Sequence, residues 1–135
     1  MIDKEIIKIA SNTENHGVLD NHTHSSKLKN AICGDEMKIY LIIEDNKILD
    51  FKYECVSCIY CQASVSLLSK NAKNKSIDKV KKFAEQAINI FEKNVQSFDK
   101  EWKEFNKIIK KNNISRKECL LLPFKTVAKA LNYKL

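Results

Sequence analysis

Glycine and proline are nearly absent: 135 residues contain two glycines and one proline. That excludes a loop-rich or low-complexity chain, because turn-dense segments depend on those residues. No apolar run approaches the about 18 residues of a membrane-spanning helix, so no membrane association is expected. The opening MIDKEIIKIA has neither the apolar core nor the small-residue cleavage site of a secretory signal, and a cytoplasmic location is the expectation. Aromatics make up 8% of the chain and are not spaced as a platform for stacking bases. Dense basic runs are missing too. The net charge of +7 is carried mostly by lysine, and Lys81, Lys82, Lys110 and Lys111 interleave with acidic residues in helix-like segments. They read as solvated helix faces, and no nucleic-acid partner is expected. What is present is ordinary for a globular protein: 44% apolar and 30% charged residues, with no repeat. The length fits one domain, 1–135, with enough chain to bury a core.

Periodicity divides the chain into three regions. Residues Ile2 to Ala10 read as a short helix. A polar stretch from Ser11 to Asn30 holds Gly17 and all three histidines, His16, His22 and His24, and part of it is expected to pair as an edge strand. Met37 to Glu44 and Ile48 to Cys55 read as two strands joined by a turn at Asp45-Asn46-Lys47, an antiparallel hairpin. In the second strand the alternation puts Leu49, Phe51, Tyr53 and Cys55 on one face. The remainder is helical. Gln62 to Asn71 is one helix, and Ser76 is the expected N-cap of another beginning at Ile77. Phe98, Trp102, Phe105 and Ile109 mark an amphipathic helix over Ser97 to Lys111. Pro123 either kinks the last helix or marks its first turn. The expected class is α+β: a small three-stranded antiparallel sheet with helices packed on one face.

Five cysteines carry the chemical signal. An odd count suits a disulfide framework poorly, and a reducing cytosol favours metal-binding or reactive thiols. Cys55, Cys58 and Cys61 form C-x2-C-x2-C, a spacing found in iron–sulfur cluster loops, but no fourth cysteine and proline follow. Paired zinc knuckles are also absent. Each cysteine alone could be a small buried hydrophobe. In an extended chain, Cys33 and Asp35 would project from the same side, and Gly34 between them leaves room for close approach. Cys33 lies just before the first hairpin strand and Cys58 just after the second. An antiparallel hairpin therefore brings Cys33, Asp35 and Cys58 to one end of the sheet, where the final helix would have to deliver Cys119. Three thiolates and one carboxylate make a tetrahedral set for zinc or a site for iron–sulfur chemistry. Cys55 and Cys61 then become bystanders or reserve thiols, and the histidines read as loop residues.

These residues resemble a known family, the iron–sulfur cluster assembly scaffolds of the IscU/SufU/NifU N-terminal type. The resemblance spans nearly the whole chain. It is carried by Asn15-His16-Gly17-Val18-Leu19, by CGDEMKIYLIIEDNKILDFKYECVSC, by QASVSLLSK, by KSIDKV and by SRKECLLLPFKTVAKAL. Cys33, Asp35, Cys58 and Cys119 match the family's three cysteines and its aspartate. Cys55 and Cys61 fall where the family has no ligand. Ser57 stands where the family often has glycine, and Glu118 where IscU-type proteins have histidine. No L-P-P-V-K motif precedes Cys119. The long stretch between Cys58 and Cys119, with Arg116, is SufU-like.

The resemblance implies a non-enzymatic scaffold that receives sulfur from a cysteine desulfurase, with Cys119 as a sulfur acceptor, and holds a transient iron–sulfur cluster for apo-protein acceptors. Asp35 would be the labile ligand. The alternative is a zinc-dependent sulfurtransferase partner that activates the desulfurase and builds no cluster. A purely structural zinc domain or a nucleic-acid binder is the third reading.

Overall fold

A computed structural model describes residues 4–32, 34–92 and 100–133. The element order is α1 (Lys4–Ala10), β1 (His24–Lys29), β2 (Glu36–Glu44), β3 (Lys47–Val56), α2 (Ile59–Ala72), α3 (Ile77–Glu92), two 3₁₀ segments (Lys100–Lys107 and Lys111–Arg116) and α4 (Lys117–Ala130). The three strands form one antiparallel sheet in the order β1-β2-β3. The chain is α+β as expected, and β1 is the anticipated edge strand.

The β2–β3 hairpin follows from its turn. Asp45 and Asn46 take φ of 52° and 64°, and Glu44 pairs with Lys47. Two consecutive left-handed residues match the right-handed twist of the flanking strands, and Asp and Asn tolerate that region best among non-glycines. Alternation then sorts the faces. Met37, Ile39 and Leu41 of β2 and Phe51 and Tyr53 of β3 are buried toward the helices. The outer face carries Lys38 opposite Glu54 and Tyr40 opposite Lys52. Leu49 departs from the expected pattern. A register shift between Ile42 and Ile43 pairs Asp50 with Ile42 but Ile48 with Ile43. That bulge expels Leu49, which is 42% exposed, and puts fully buried Ile48 in the core instead.

α2 is the central helix. Nine of its fourteen residues are buried, among them Ser64, Ser66 and Ser69. Small side chains let neighbouring helices approach closely, and each buried hydroxyl needs a partner. Ser64 Oγ donates to the Leu120 carbonyl at 2.6 Å and Ser66 Oγ to the Asn12 carbonyl at 2.8 Å. These bonds tie α2 to α4 and to the segment after α1. Ser76 Oγ accepts from Lys79 N–H at 3.1 Å, the expected N-cap of α3. Beneath the sheet an aromatic cluster closes the core. The Phe83 and Trp102 rings stack at 4.0 Å, and Phe105 and Phe124 meet Phe83 edge-on at 4.6 and 5.1 Å. Burial of each ring contributes about 1.5–3 kcal/mol.

One expectation about the helices needs correction. Where a single helix was expected over Ser97 to Lys111, the described residues form the 3₁₀ segment Lys100–Lys107, with non-helical backbone at Trp102 (φ −114°, ψ 17°), and a second 3₁₀ segment starts only at Lys111. Phe98 lies outside the described residues. Trp102, Phe105 and Ile108 recur every third residue and are all buried, which suits a 3₁₀ helix, where i and i+3 eclipse. Lys75 and Lys79 hold Glu101 at 2.9 and 3.4 Å, and Lys75 is the main cause of its carboxyl lying below the usual range. Of the two placements open for Pro123, the interior of α4 is the one found: it is buried there and not in the first turn. The lost donor is the one that would reach the Cys119 carbonyl four residues back.

Candidate metal centre

The sheet register builds half of the site. Glu36 at the start of β2 pairs with Val56 at the end of β3, so the residues flanking that rung, Asp35 and Cys58, are forced together. A hydrogen-bonded turn sets Asp35: Asn30 N–H donates to the Asp35 carbonyl at 2.7 Å, and Gly34 N–H to the Asn30 carbonyl at 2.8 Å. The Asn30 side chain braces the same turn by accepting from Ile32 N–H at 3.0 Å. Gly34 has φ of +76°, where a side chain would be strained. The backbone therefore turns at Gly34, where the sequence reading expected it extended. Cys33 itself lies outside the described residues.

Cys58 is the N-cap residue of α2 and makes no side-chain capping bond. Its sulfur is thus left free of the helix N-terminus and open to another partner. Cys119, in the first turn of α4, arrives from across the fold. The Ser64–Leu120 bond fixes it against α2. The Arg116 guanidinium, 5.1 Å from the Tyr60 ring centroid, fixes the start of α4 against the start of α2.

Asp35, Cys58 and Cys119 present one ligand atom each, all within 4.8 Å of one another. Asp35 and Cys119 are buried, at 7% and 5% exposure, and Cys58 is half-buried. Asp35 Oδ1 accepts from Cys58 N–H at 3.2 Å. Asp35 Oδ2 is buried and has no hydrogen-bond partner. An unsatisfied buried oxygen costs about 1–3 kcal/mol, more when charged. Two sulfurs and an oxygen in tetrahedral reach are a donor set for zinc or for iron, and a cation would satisfy the orphaned oxygen.

The other candidates lie elsewhere. His24 pairs with Leu41, at the opposite end of the β1–β2 ladder from Lys29 and Glu36. Its Nδ1 meets Thr23 Oγ1 at 2.8 Å, and His22 Nδ1 meets the Leu19 carbonyl at 2.6 Å. His16 packs edge-on against Tyr53 at 5.5 Å. Glu118 pairs with Lys125 at 3.2 Å. Cys55 and Cys61 flank the centre without entering the group of three. Burial pushes both thiols up, opposed in each by the neighbouring Ser57 hydroxyl. Sequence reasoning missed Asn30 and Tyr60. The Asn30…Gly34 spacing was a readable turn signal, whereas nothing local marks Tyr60 as the platform for Arg116.

Residues 1–104 match the family described as the NifU-like N terminal domain. The chain belongs to this family. The iron-sulfur cluster assembly scaffold protein IscU of Thermotoga maritima is 31% identical over 134 residues, covering 97% of this chain and 92% of that one. IscU 1 of Archaeoglobus fulgidus is 28% identical over 88 residues, 65% of this chain and 58% of its own length. Among solved structures, the putative SUF-system scaffold of Fervidobacterium islandicum superposes with a TM-score of 0.87 at 27% identity, covering 96% of each chain. A NifU-like N-terminal protein of Brucella abortus gives 0.88 at 22% identity, covering 96% of this chain and 91% of its own, and shares the fold.

Proposed function

We propose that this NifU-like chain is an iron–sulfur cluster assembly scaffold whose cargo is held by Asp35, Cys58 and Cys119, with Cys33 as the fourth donor. The observation that carries the reading is the buried, unpartnered Asp35 Oδ2 in one group with two cysteine sulfurs. Sulfur would come from a cysteine desulfurase as a persulfide, with Cys119 as an acceptor. The built cluster would pass to apo-protein acceptors. Thiolates hold soft iron–sulfur units firmly and a carboxylate holds them less firmly, so Asp35 is the ligand that lets the cluster leave.

The same donor set suits zinc, which makes a desulfurase-activating zinc form the second reading. One experiment separates them. The protein is reconstituted anaerobically with iron and sulfide, and its visible absorbance, metal content and transfer to an apo-ferredoxin are followed. A chromophore that transfers, and that Asp35→Ala retains, is the expected result. Stoichiometric zinc with no chromophore after reconstitution would sink the scaffold role. Unslowed transfer in Asp35→Ala would remove Asp35 from the release step.

A further inference from the structure

The connection between β1 and β2 spans residues 30–35 and carries Asp35 into the centre. Apolar packing does little to hold it, since Ile32 is 83% exposed and Ala31 is exposed as well. Hydrogen bonds must do so. Among the described residues, three close the connection, and Asn30 takes part in each. Its N–H donates to the Asp35 carbonyl at 2.7 Å, its carbonyl accepts from Gly34 N–H at 2.8 Å, and its Oδ1 accepts from Ile32 N–H at 3.0 Å. The first continues the β1–β2 ladder beyond the Lys29–Glu36 pair. The first two use only backbone, which any non-proline residue supplies. The third depends on the side chain. An amide oxygen bonded to the N–H two residues on imitates a backbone turn and fixes the direction in which the chain leaves. Asn30 is itself buried, at 9% exposure, so this bond forms with little competition from water.

The turn ends on Asp35, whose carboxylate is already half committed. Oδ1 accepts from Cys58 N–H at 3.2 Å, which leaves the buried, unpartnered Oδ2. Asp35 is thus held at two points, its backbone by Asn30 and its side chain by Cys58. We propose that Asn30 is a positioning residue of the centre. Its side-chain oxygen holds the 30–35 turn in the shape that keeps the Asp35 carboxylate beside Cys58 and Cys119, and so sets how tightly the centre retains a metal ion. This rests on the reading that those three residues are ligands. With alanine at position 30 the two backbone bonds remain available, so the ladder survives. The exposed residues of the turn lose the bond that selects one shape, and the carboxylate spends part of its time away from the sulfurs. Outer partners that orient a metal ligand are worth about 10- to 100-fold in affinity. Asn30 reaches Asp35 through its backbone, which puts the expected loss near the lower figure.

The test uses the reduced full chain. Zinc affinity is measured by competition with a chromophoric chelator, and amide hydrogen exchange is followed on the metal-free protein. Asn30→Ala is expected to bind zinc about tenfold more weakly. Its Ile32 amide should exchange faster, while the amides of β3 and the circular dichroism signal stay as in wild type. Asn30→Asp keeps an acceptor oxygen at the same reach and should restore slow exchange at Ile32. A double-mutant cycle then asks whether Asn30 acts through Asp35. In an Asp35→Ala background, Asn30→Ala should change zinc affinity by less than about twofold. An equal loss in both backgrounds overturns the proposal, because a merely structural role would weaken both alike. Wild-type affinity in Asn30→Ala despite a faster Ile32 amide overturns it too, and so does a chain that no longer folds, since the bond would then serve the fold. Fast exchange in Asn30→Asp removes the side-chain oxygen from the account. Each of these leaves the ligand reading standing. A wild-type chain that binds no zinc and assembles no cluster overturns that reading and the proposal with it.

Discussion

The two ends of the three-stranded sheet are built on opposite terms. At the hairpin end the polar groups are paired internally. Ile48 N–H donates to the Lys75 carbonyl at 3.0 Å, Asn74 N–H to the Ile48 carbonyl at 2.7 Å, and Ile77 N–H to the Asn46 carbonyl at 2.9 Å. The histidines near that end are bonded to neighbouring protein groups. At the other end, Asp35 keeps one oxygen buried and unpartnered beside two sulfurs. A fold that satisfies one end and leaves donor atoms convergent at the other has placed its cost where an external ligand can remove it.

Four substitutions test that contrast. The largest effect on stability is expected in the core that both ends share. Phe83→Ala removes the ring against which Trp102, Phe105 and Phe124 pack. Chemical denaturation should show a loss of about 3–5 kcal/mol, felt at both ends alike. Next comes Cys119→Ser. Changes to outer partners of a metal site alone cost about 10- to 100-fold in affinity, so loss of a sulfur donor should exceed that in a zinc competition assay with a chromophoric chelator. Circular dichroism should be unchanged. Retained affinity would show that Cys119 is not a ligand. Third, Asn46→Ala puts a side chain with no local hydrogen bond at φ of 64°. It should cost about 1–2 kcal/mol, whereas Asn46→Gly should not, and zinc affinity should be unchanged in both. The smallest effect is expected from His22→Ala, which loses one hydrogen bond to the Leu19 carbonyl, about 1 kcal/mol. Weakened metal binding in that variant would break the separation between the two ends.

Burial offers a further check. Cys61 is fully buried, and desolvation pushes its thiol well up. Because the thiolate is the reactive form, Cys61 should resist iodoacetamide at pH 8 while Cys58 is modified. Labelling of Cys61 should appear only as the chain unfolds, as read by peptide mass spectrometry.

Much of the fold was legible because its signals are local. Alternation named β2 and β3, and Asp45-Asn46 named their turn. Ser76 named the start of α3. Where two effects competed locally, sequence reasoning slipped. The bulge at Ile42/Ile43 moved Leu49 out and Ile48 in, because alternation assumes an unbroken register. Trp102, Phe105 and Ile109 fit a helical stripe, but the spacing of Trp102, Phe105 and Ile108 fits a 3₁₀ helix as well. Pro123 left two placements open in the sequence, and its burial inside α4 chose between them. At the site, the pairing of Asp35 with Cys58 was readable, since a short hairpin fixes which strand ends meet. The turn at Gly34 was not, because alternation extended the strand pattern through it.

The sequence by itself determined that a strand hairpin carries an aspartate and a cysteine to one end of a sheet. Backbone pairing is directional and its register is set within a few residues. Only the tertiary structure decided that Cys119 completes the group with Asp35 and Cys58, that Cys61 is sealed, and that Cys55 stands at the edge. Those outcomes depend on how α4 packs against α2. Packing is driven by burial, which has no direction and leaves no local mark on the residues it brings together.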